Sequence, residues 1–417
     1  MPPAAVVSAT MRNQLLVRRL LAWFARSARD LPWRRTRSPY AIWVSEIMLQ
    51  QTQVKTVLPY WERWMQALPD IGAVGRASPE RLHKLWEGLG YYTRVRNLRQ
   101  AARLIQANHG GRFPEDFDQV LALPGIGRST AGAICSIAFN QPRPVLDGNV
   151  MRVLSRLFGI DGDPRKKAAN AKLWRLAQGL TDHALRVAAA GSWFGTPASA
   201  GSTGTDGASR VAAAGSPSGT PASAGSLAAD QALRVAGSGS CSELSQSLIE
   251  LGALICTPRQ PRCGLCPVSG GCVARRQGRV HELPQTARRP QTTPRRFAAF
   301  VIRKRGRFLV RQRPAGEVNA HLWEFPNVEL APGNAGLQRA AQDVLGIQPV
   351  SIKPLCAIRH SITRYRITLE AFLVEGQGSP GSDVPIRGRW LNHRQLAPLP
   401  FAGAHRKILH QLARLPA

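Results

Sequence analysis

The chain has 417 residues, enough for two domains, and carries 56 lysines and arginines against 25 aspartates and glutamates. The net charge of +31 predicts salt-dependent attraction to a polyanion, of which DNA and RNA are the usual ones. No run of about eighteen apolar residues occurs, which argues against a membrane span. A nucleic-acid-binding protein is therefore the leading class, and a generally basic, solvated surface is the alternative.

The N-terminal part of the chain has the periodicity of helices. Apolar residues recur at intervals of three and four between residues 11 and 180, with breaks at Pro or Gly. The pattern predicts helices over residues 14–24, 41–49, 81–87, 94–107 and 150–158. Because the residues before Asp30 include arginines and no acids, a mitochondrial presequence is the alternative to the first helix. The amphipathic pattern favours the helix.

The composition changes abruptly after residue 182. Copies of one segment begin at Ala184, Ala208 and Ala232, so the repeat is 24 residues long, and it consists mostly of Ala, Gly, Ser, Thr and Pro. A solenoid needs apolar side chains from each repeat for a shared core, and these repeats supply few. We therefore expect residues 183–240 to be a disordered insertion in a domain formed by residues 11–182 and 241–276.

Four of the seven cysteines lie close together after the insertion. Cys256, Cys263, Cys266 and Cys272 are separated by six, two and five residues, and four thiolates at this spacing can hold one metal centre. A disulfide knot is the competing interpretation, but clustered cysteines in a long chain without a secretory signal favour a metal. Structural zinc usually binds two close ligand pairs separated by a longer spacer. One Cys-x-x-Cys pair flanked by single cysteines favours a [4Fe-4S] cluster, with zinc as the alternative.

The C-terminal part of the chain has a different pattern. Residues 277–296 are rich in Pro and Arg and are predicted to be an interdomain linker. Strand-like segments at residues 297–303, 307–311 and 364–374 then accompany helix-like segments at residues 336–345 and 405–415. This succession predicts a small α+β domain over residues 297–417.

A glycine-containing turn predicts contact with DNA. A short predicted helix over residues 115–122 is followed by Leu123, Gly125 and Gly127 and then by a second predicted helix over residues 128–139. The glycines allow a tight turn and expose backbone amides at the second helix's N-terminus, where a phosphate can bind. An ordinary helix connection is the alternative. In a chain of this charge the pattern indicates a helix-hairpin-helix clamp, which holds the DNA backbone without reading its sequence.

Two carboxylates are candidates for catalysis. Glu46 lies in a nearly all-apolar predicted helix, where an acid is costly to ionise and can serve as a general acid. A partly exposed position beside Ser45 is the alternative. Asp147 precedes the predicted helix over residues 150–158, where it stabilises a cationic transition state or serves only as an N-cap. Glycosidic cleavage uses an acid together with a stabilising carboxylate, and a DNA base must leave the stack before it is removed.

Six segments together resemble the adenine DNA glycosylases of the MutY type, helix-hairpin-helix enzymes of base excision repair. The segments are residues 31–34, 45–53, 88–92, 123–132, 146–150 and the cysteine loop. The resemblance covers about residues 15–180 and 242–274, with a weaker match from Phe297 onward. It implies an all-α helix-hairpin-helix glycosylase domain with a [4Fe-4S] cluster loop, followed by a smaller α+β Nudix-like domain that contacts 8-oxoguanine.

The same resemblance implies an activity and a partner. The enzyme would remove adenine mispaired with 8-oxoguanine or guanine from double-stranded DNA, as a monofunctional hydrolase and a monomer. Glu46 falls on the general acid that protonates adenine at N7, Asp147 on the carboxylate that stabilises the sugar cation, and Asn149 on its polar neighbour. Gln51 and Tyr91 fall on side chains that wedge into the stack beside 8-oxoguanine. The residues implied to contact DNA are Gln51, Tyr91, Leu123, Gly125, Gly127, Ser129 and Thr363. Without an export signal, the expected location is the cytoplasm, at the nucleoid in a bacterium.

The chain departs from the family pattern at three places. Ile362-Thr363-Arg364 stands where the family has Phe-Ser-His, and Thr363 keeps a hydroxyl for the lesion. Met151 stands where a lysine is common in bacterial relatives. The repeat insertion lengthens a connection that is normally short, which costs little if its ends stay close.

Two other functions compete with this one. An endonuclease III-like enzyme needs a lysine nucleophile two residues after Gly127, where this chain has Ser129, and a hydroxyl cannot form a Schiff base. A non-catalytic iron–sulfur DNA-binding paralogue would not need both Glu46 and Asp147. In the C-terminal domain, Asp343 is the only acid in residues 339–347, so Mg²⁺-dependent pyrophosphate hydrolysis is not expected there.

Overall fold

The computed structural model describes residues 9–189, 241–287, 291–330, 336–362, 364–376 and 388–414. They form two compact units. The first comprises Met1–Ile42, Glu115–Phe117 and Gly127–Thr286, and the second comprises Trp43–Pro114, Asp118–Ile126 and Ala287–Ala417. The predicted insertion lies outside the described residues, apart from residues 183–189. Within the described part of the chain, no helix is long and apolar enough to cross a membrane.

Helices make up the structure as far as residue 276. In chain order they are α1 (Ala9–Ser27), α2 (Pro39–Leu49), α3 (Val54–Ala67), α4 (Ile71–Arg76), α5 (Pro79–Trp86), α6 (Thr93–His109), α7 (Phe117–Leu121), α8 (Arg128–Phe139), α9 (Gly148–Phe158), α10 (Lys167–Ala189), α11 (Cys241–Leu254) and α12 (Val273–Arg276). The helices predicted over residues 14–24, 41–49, 81–87, 94–107, 128–139 and 150–158 are confirmed, with ends shifted by a few residues in most of them.

The first unit is built around a core shared by α1, α9, α10 and α11. Leu20, Val150, Leu180 and Leu248 are among its buried side chains. Helix α10 runs to Ala189 and so includes the first residues of the predicted insertion. These residues are good helix formers, and the core buries Ala184 completely.

The helical part of the second unit comprises most of α2 and α7 together with α3 to α6. Trp64 of α3 and Trp86 of α5 are fully buried and meet edge to face, with 5.6 Å between ring centroids. Helix α4 begins at the N-cap Asp70, whose side chain accepts a hydrogen bond from Ala73 N at 2.6 Å. Helix α6 ends at Gly110, which has a φ of 58°.

A mixed sheet with flanking helices forms the C-terminal part of the second unit. Its strands are β1 (Thr293–Lys304), β2 (Arg307–Gln312), β3 (Trp323–Glu324), β4 (Asn327–Leu330), β5 (Pro349–Ile362), β6 (Tyr365–Gly376) and β7 (Arg389–Leu391), and its helices are α13 (Leu337–Leu345), α14 (His393–Leu396) and α15 (Gly403–Leu412). The main strand order is β3-β2-β1-β6-β5, with β4 paired to β1 and β7 to β2. One face of the sheet buries Ile408 and Leu409 of α15, and the other buries Ala341 and Leu345 of α13.

Several strands differ from the sequence predictions, and the short strands β3, β4 and β7 were not predicted. Strand β1 begins at Thr293, inside the predicted linker, because its first residues pair with β6 from Tyr365 onward. Strand β5 is not predicted at all. It contains Pro349 and Pro354, which argue against a strand, but it is the last strand in the order, and an edge strand tolerates proline.

A buried carboxylate joins α5 to the C-terminal domain within the second unit. Glu87 Oε1 accepts hydrogen bonds from Phe401 N at 2.8 Å and from Arg406 Nε at 2.7 Å. Lys84 Nζ donates to Glu87 Oε2 at 2.9 Å and to Ala397 O at 2.9 Å. The Glu87 side chain is only 14% exposed, so solvent weakens these contacts little.

Candidate active site

Asp147 is the N-cap of α9 and lies in the first unit. Its Oδ1 accepts a hydrogen bond from Val150 N at 2.8 Å, and its Oδ2 accepts one from Asn149 Nδ2 at 3.1 Å. Burial raises the pKa of Asp147 above its ordinary value, although these hydrogen bonds lower it. The N-cap role is confirmed, and it leaves the predicted functional role possible. The cap fixes the orientation of a carboxylate whose charge is poorly solvated, which suits it to stabilise a nearby cation.

Close backbone contacts hold the segment that carries Asp147. The hydroxyl of Ser129 in α8 accepts a hydrogen bond from Leu146 N at 3.2 Å. A Cβ on Gly132 would lie 2.2 Å from Pro144 O, and a Cβ on Gly252 would lie 2.6 Å from Asn149 Cβ. Both glycines therefore allow neighbouring elements to approach the N-terminus of α9 more closely than any side chain would permit.

Gly252→Ala should displace Asn149 and slow adenine excision. The added methyl group overlaps both Asn149 Cβ and Asn149 O, and overpacking of this kind costs about 1–3 kcal/mol. Gly179→Ala in α10 is the matched control, because a Cβ there meets nothing within 4 Å. It should keep full activity and gain up to about 1 kcal/mol of stability. Urea denaturation and single-turnover excision measure both effects, and equal behaviour of the two variants would refute the close-packing argument.

Two arginines of α9 connect the catalytic end of the helix to the cysteine loop. Arg152 donates to Asn149 Oδ1 at 2.9 Å, to Gly252 O at 2.6 Å and to Cys256 O at 2.7 Å. Arg156 donates to Thr257 O at 2.7 Å and to Cys256 Sγ at 3.4 Å. The loop backbone and Asn149 are therefore held by the same guanidinium group.

Cys256, Cys263, Cys266 and Cys272 all line one small pocket. Burial, and then the charges of the other three cysteines, raise the pKa of Cys266 to about 11, so bound thiolates need a positive centre between them. Within the part of the chain that the structure describes, no three His, Cys, Asp or Glu side chains are arranged to hold a single metal ion. The four thiols line one space, and four thiolates are the donor set that a [4Fe-4S] cluster uses.

Glu46 lies on α2 in the second unit. Every residue from Ala41 to Met48 is buried except Glu46, which is partly exposed. The partial exposure of Glu46 fits the alternative interpretation, although its neighbour Ser45 is only 1% exposed and forms no polar face with it. Glu46 is therefore the one position of this stretch from which an acid can reach solvent or a ligand.

The two predicted wedge residues share an unusual backbone conformation. Gln51 has a φ of 56° and Tyr91 a φ of 49°, in the left-handed region that side chains other than glycine rarely adopt. Both side chains are exposed, Tyr91 to 49%, whereas the neighbouring Tyr92 is buried. The structure thus gives Tyr92 the role of core aromatic and leaves Tyr91 free to contact a ligand.

The hairpin between α7 and α8 presents backbone and not side chains. Gly125 has a φ of 82°, and a Cβ there would lie 2.9 Å from Asn97 Cβ. Gly127 is the exposed N-cap of α8, and no side chain caps this helix. Leu123 is buried, so its contribution to DNA binding can come only from its backbone. This arrangement is the one expected of a phosphate clamp.

The predicted recognition loop is the turn between β5 and β6. Thr363 lies outside the described residues, between the paired residues Ile362 and Tyr365. The exposed Arg364 donates a hydrogen bond to Tyr365 Oη at 3.0 Å. Met151, where bacterial relatives often have lysine, packs partly buried against the core of the first unit.

Sequence reasoning does not find Arg94, Arg152 or Glu250. Arg152 lies one helical turn after Asn149, so helical periodicity places it near that residue. Glu250 lies in an apolar stretch of α11, as Glu46 does in α2, so its sequence context marks it as a candidate in the same way. Arg94 follows the Gly88-Leu89-Gly90 turn, but nothing in its sequence context distinguishes it from the other arginines of α6.

Comparisons with known proteins agree with this geometry. Residues 44–178 match the HhH-GPD superfamily of base excision DNA repair proteins, residues 298–411 the NUDIX domain, and residues 256–272 the iron-sulfur binding domain of endonuclease III. The last match confirms the predicted iron–sulfur cofactor.

Curated relatives cover most of the chain. An adenine DNA glycosylase of Mus musculus is 31% identical over 93% of this chain and 76% of its own, and that of Homo sapiens is 32% identical over 93% and 72%. One from Buchnera aphidicola is 30% identical over 76% of this chain and 75% of its own. A solved thermostable thymine-DNA glycosylase is a weaker match, with a TM-score of 0.46 at 24% identity over 64% of this chain and 97% of that one. On the strength of the curated relatives, this chain belongs to the adenine DNA glycosylase family.

Proposed function

We propose that the chain hydrolyses the N-glycosidic bond of adenine paired with 8-oxoguanine, and more slowly of adenine paired with guanine, in double-stranded DNA. The observation that carries the proposal is the state of Asp147, a poorly solvated carboxylate fixed by two hydrogen bonds at the N-terminus of α9. A carboxylate in such a place is stabilised by a developing positive charge, and cleavage of a glycosidic bond produces one on the sugar.

The two carboxylates have different roles in the proposed reaction. Glu46 gives its proton to a ring nitrogen of adenine, which turns the base into a neutral leaving group. Asp147 stays ionised, stabilises the cationic sugar and directs water to it, while Asn149 holds the carboxylate in place. The bond between sugar and adenine breaks with its electron pair on adenine. Water then supplies the hydroxyl group of the abasic product, and its remaining proton goes to the Glu46 carboxylate.

The enzyme is proposed to be monofunctional. A bifunctional glycosylase uses an amine to form a Schiff base with the sugar, and Ser129 occupies the position where endonuclease III-like enzymes need lysine. Here the Ser129 hydroxyl accepts a hydrogen bond from Leu146 N. We therefore expect an intact DNA strand with an abasic site, cleaved only after treatment with alkali.

Excision from three duplexes tests the proposal. Under single-turnover conditions the rate should be highest for adenine opposite 8-oxoguanine, lower for adenine opposite guanine, and undetectable for thymine glycol. No release of adenine, or equal activity on thymine glycol, would refute the proposal. A borohydride trapping assay with the same duplexes should yield no covalent complex, since the Ser129 hydroxyl cannot form a Schiff base.

We also propose that the chain acts on DNA as a monomer and, in a bacterium, at the nucleoid. Its charge of +31 supplies the attraction to DNA without a second subunit. Sedimentation of the free protein and of its complex with a short duplex should give a ratio of one chain to one duplex.

A further inference from the structure

Two separate turns of the second unit hold the wedge residues. Gln51 lies in the turn that follows α2, and Tyr91 lies in the turn between α5 and α6. A left-handed conformation at a residue other than glycine is strained and persists only where the surroundings enforce it. Each turn therefore needs a contact that keeps it in this conformation.

Arg94 of α6 contacts both turns. Its Nη1 donates to Ile47 O at 3.0 Å, Met48 O at 2.8 Å and Gln50 O at 2.6 Å, all at the end of α2 and the start of the first turn. Its Nη2 donates to Leu89 O and Gly90 O, both at 3.1 Å, in the second turn. The four terminal N–H groups of one planar guanidinium are thus shared among five carbonyls from two turns that are about forty residues apart in sequence.

The surroundings of Arg94 make this contact strong. The residue is only 7% exposed, so its hydrogen bonds are formed away from solvent. Its guanidinium carbon lies 5.3 Å from the ring centroid of Trp86 and 5.4 Å from that of Tyr91, and therefore contacts the wedge aromatic itself. Burial lowers the pKa of Arg94 to about 10, which leaves it charged at neutral pH. The carbonyls at the end of α2 also carry the negative end of the helix dipole.

We propose that Arg94 is a positioning residue for the wedge, which locks the turns of Gln51 and Tyr91 so that both side chains are ready to enter the DNA stack before DNA binds. The proposal rests on the proposed function, since a wedge is needed only by an enzyme that extrudes a base from a duplex. If the two turns are already ordered, base flipping does not include the loss of conformational entropy that ordering two mobile turns would require.

Arg94→Lys tests the proposal because it keeps the charge but leaves one ammonium group, which cannot reach both turns as the guanidinium fork does. The matched control is Arg99→Lys on the same helix. Arg99 Nε donates to Ala77 O at 3.1 Å, outside the wedge turns. Three quantities are measured with the full chain: the affinity for an undamaged duplex, the single-turnover rate of adenine excision opposite 8-oxoguanine, and the fluorescence of 2-aminopurine placed at the adenine position.

The expected result separates positioning from general damage. At saturating protein, the increase in 2-aminopurine fluorescence caused by Arg94→Lys should be about half of that caused by the wild-type chain, or less. Excision should slow by about 10- to 100-fold, as expected of a misplaced contact. The affinity for the undamaged duplex should stay within about twofold, because it comes from phosphate contacts elsewhere. Arg99→Lys should match the wild-type chain in all three measurements.

Other outcomes overturn the proposal. An unchanged fluorescence rise, with or without slower excision, would mean that Arg94 does not act through the wedge. A loss of undamaged-duplex affinity as large as the loss of rate would mean a merely structural role. If the wild-type chain removes no adenine, the proposed function fails, whereas the fluorescence comparison needs no bond cleavage and still tests Arg94.

A second variant keeps the proposal testable if Arg94→Lys does not fold. Gln51→Gly leaves Arg94 intact and relieves the strain at a φ of 56°, so the melting temperature should rise by about 2 °C. Gln53→Gly is its control, because the φ of Gln53 is −73° and glycine gains nothing there. A melting temperature of Gln51→Gly that is unchanged or lowered, as in the control, would show that the turn is not held under strain and would overturn the proposal.

Discussion

Asp147→Asn is expected to lower the single-turnover rate of adenine excision by about 1,000-fold or more while leaving the fold intact. The amide keeps the shape of the carboxylate and remains a favourable N-cap for α9. It carries no negative charge, however, and so cannot stabilise a cationic sugar. Excision by the purified variant, with binding of the uncleaved duplex measured in parallel, separates a loss of chemistry from a loss of recognition.

The same substitution should not lower the stability of the protein at neutral pH. Burial raises the pKa of Asp147, so folding makes its ionised form less favourable than it is in the unfolded chain. For an acid with a raised pKa, the ionised group costs stability, and this cost develops as the pH rises above the ordinary value of 3.8. Asparagine removes the buried charge, and the melting temperature of the variant should equal or exceed that of the wild-type chain.

Asp70→Asn is the matched control for this prediction. Asp70 caps α4 with the same kind of hydrogen bond, from its side chain to Ala73 N, but it is exposed and outside the candidate site. It should keep the wild-type rate. A catalytic charge contributes far more than a factor of ten to the rate. If Asp147→Asn retained more than about a tenth of the activity, the assigned role would therefore be wrong.

Glu250→Ala is expected to reduce the free energy of unfolding by about 3 kcal/mol. Glu250 is fully buried in α11 and accepts hydrogen bonds from Arg29 Nη2 at 2.6 Å and from Arg34 Nη2 at 3.0 Å. Removal of the carboxylate leaves Arg34, only 14% exposed, without its ion-pair partner. Arg29 is 33% exposed and can turn to solvent, which keeps the loss at the lower end of the range for buried pairs.

The pH dependence of stability provides a second measurement of the Glu250 pair. Burial alone would raise the pKa of Glu250, but the hydrogen bonds from Arg29 and Arg34 outweigh it and lower the pKa to about 2. A lowered pKa in an acid gives stability that is present above the ordinary value of 4.5 and is lost as the pH falls toward 2. The free energy of unfolding of the wild-type chain, measured with urea, should therefore decrease as the pH falls from 4.5 toward 2. The free energy of unfolding of Glu250→Ala should not show this decrease.

Glu375→Gln is the control for the Glu250 prediction. Glu375 pairs with Lys353 at 3.4 Å, but both side chains are about two-thirds exposed. A solvent-exposed pair contributes little, so this substitution should cause no measurable change in unfolding. A similar result for Glu250→Ala would show that the buried pair does not hold α11 to the segment that contains Arg29 and Arg34.

Helices could be predicted from sequence, and candidate active-site positions proposed, because local residue types distinguish both. Helix α8 spans the predicted residues because Gly127 caps its start and Asn140 takes a left-handed conformation at its end. Asp147 and Glu46 stood out by their immediate neighbours. Strand β5 was not predictable in the same way, because its prolines are acceptable only at a sheet edge, and edge position depends on the pairing of distant strands.

Contacts between distant segments could not be predicted. Glu250 meets Arg29 and Arg34 across more than two hundred residues, and the pattern of α11 gives no indication of which cation lies opposite. The five carbonyls around Arg94 are backbone groups, which every residue carries, so no residue type marks them. Side-chain chemistry shows which groups can react, whereas the positioning of those groups depends on backbone geometry that only the structure provides.

The contact of Glu87 with the C-terminal domain affects how a truncated chain should be interpreted. A chain that ends before residue 297 loses Phe401 N and Arg406, so Glu87 keeps only Lys84 and becomes a poorly paired carboxylate immediately before Gly88. That turn leads to Tyr91. A loss of activity on truncation would therefore combine missing lesion contacts with a disturbed helical domain, and Arg406→Met in the full chain is the variant that separates the two.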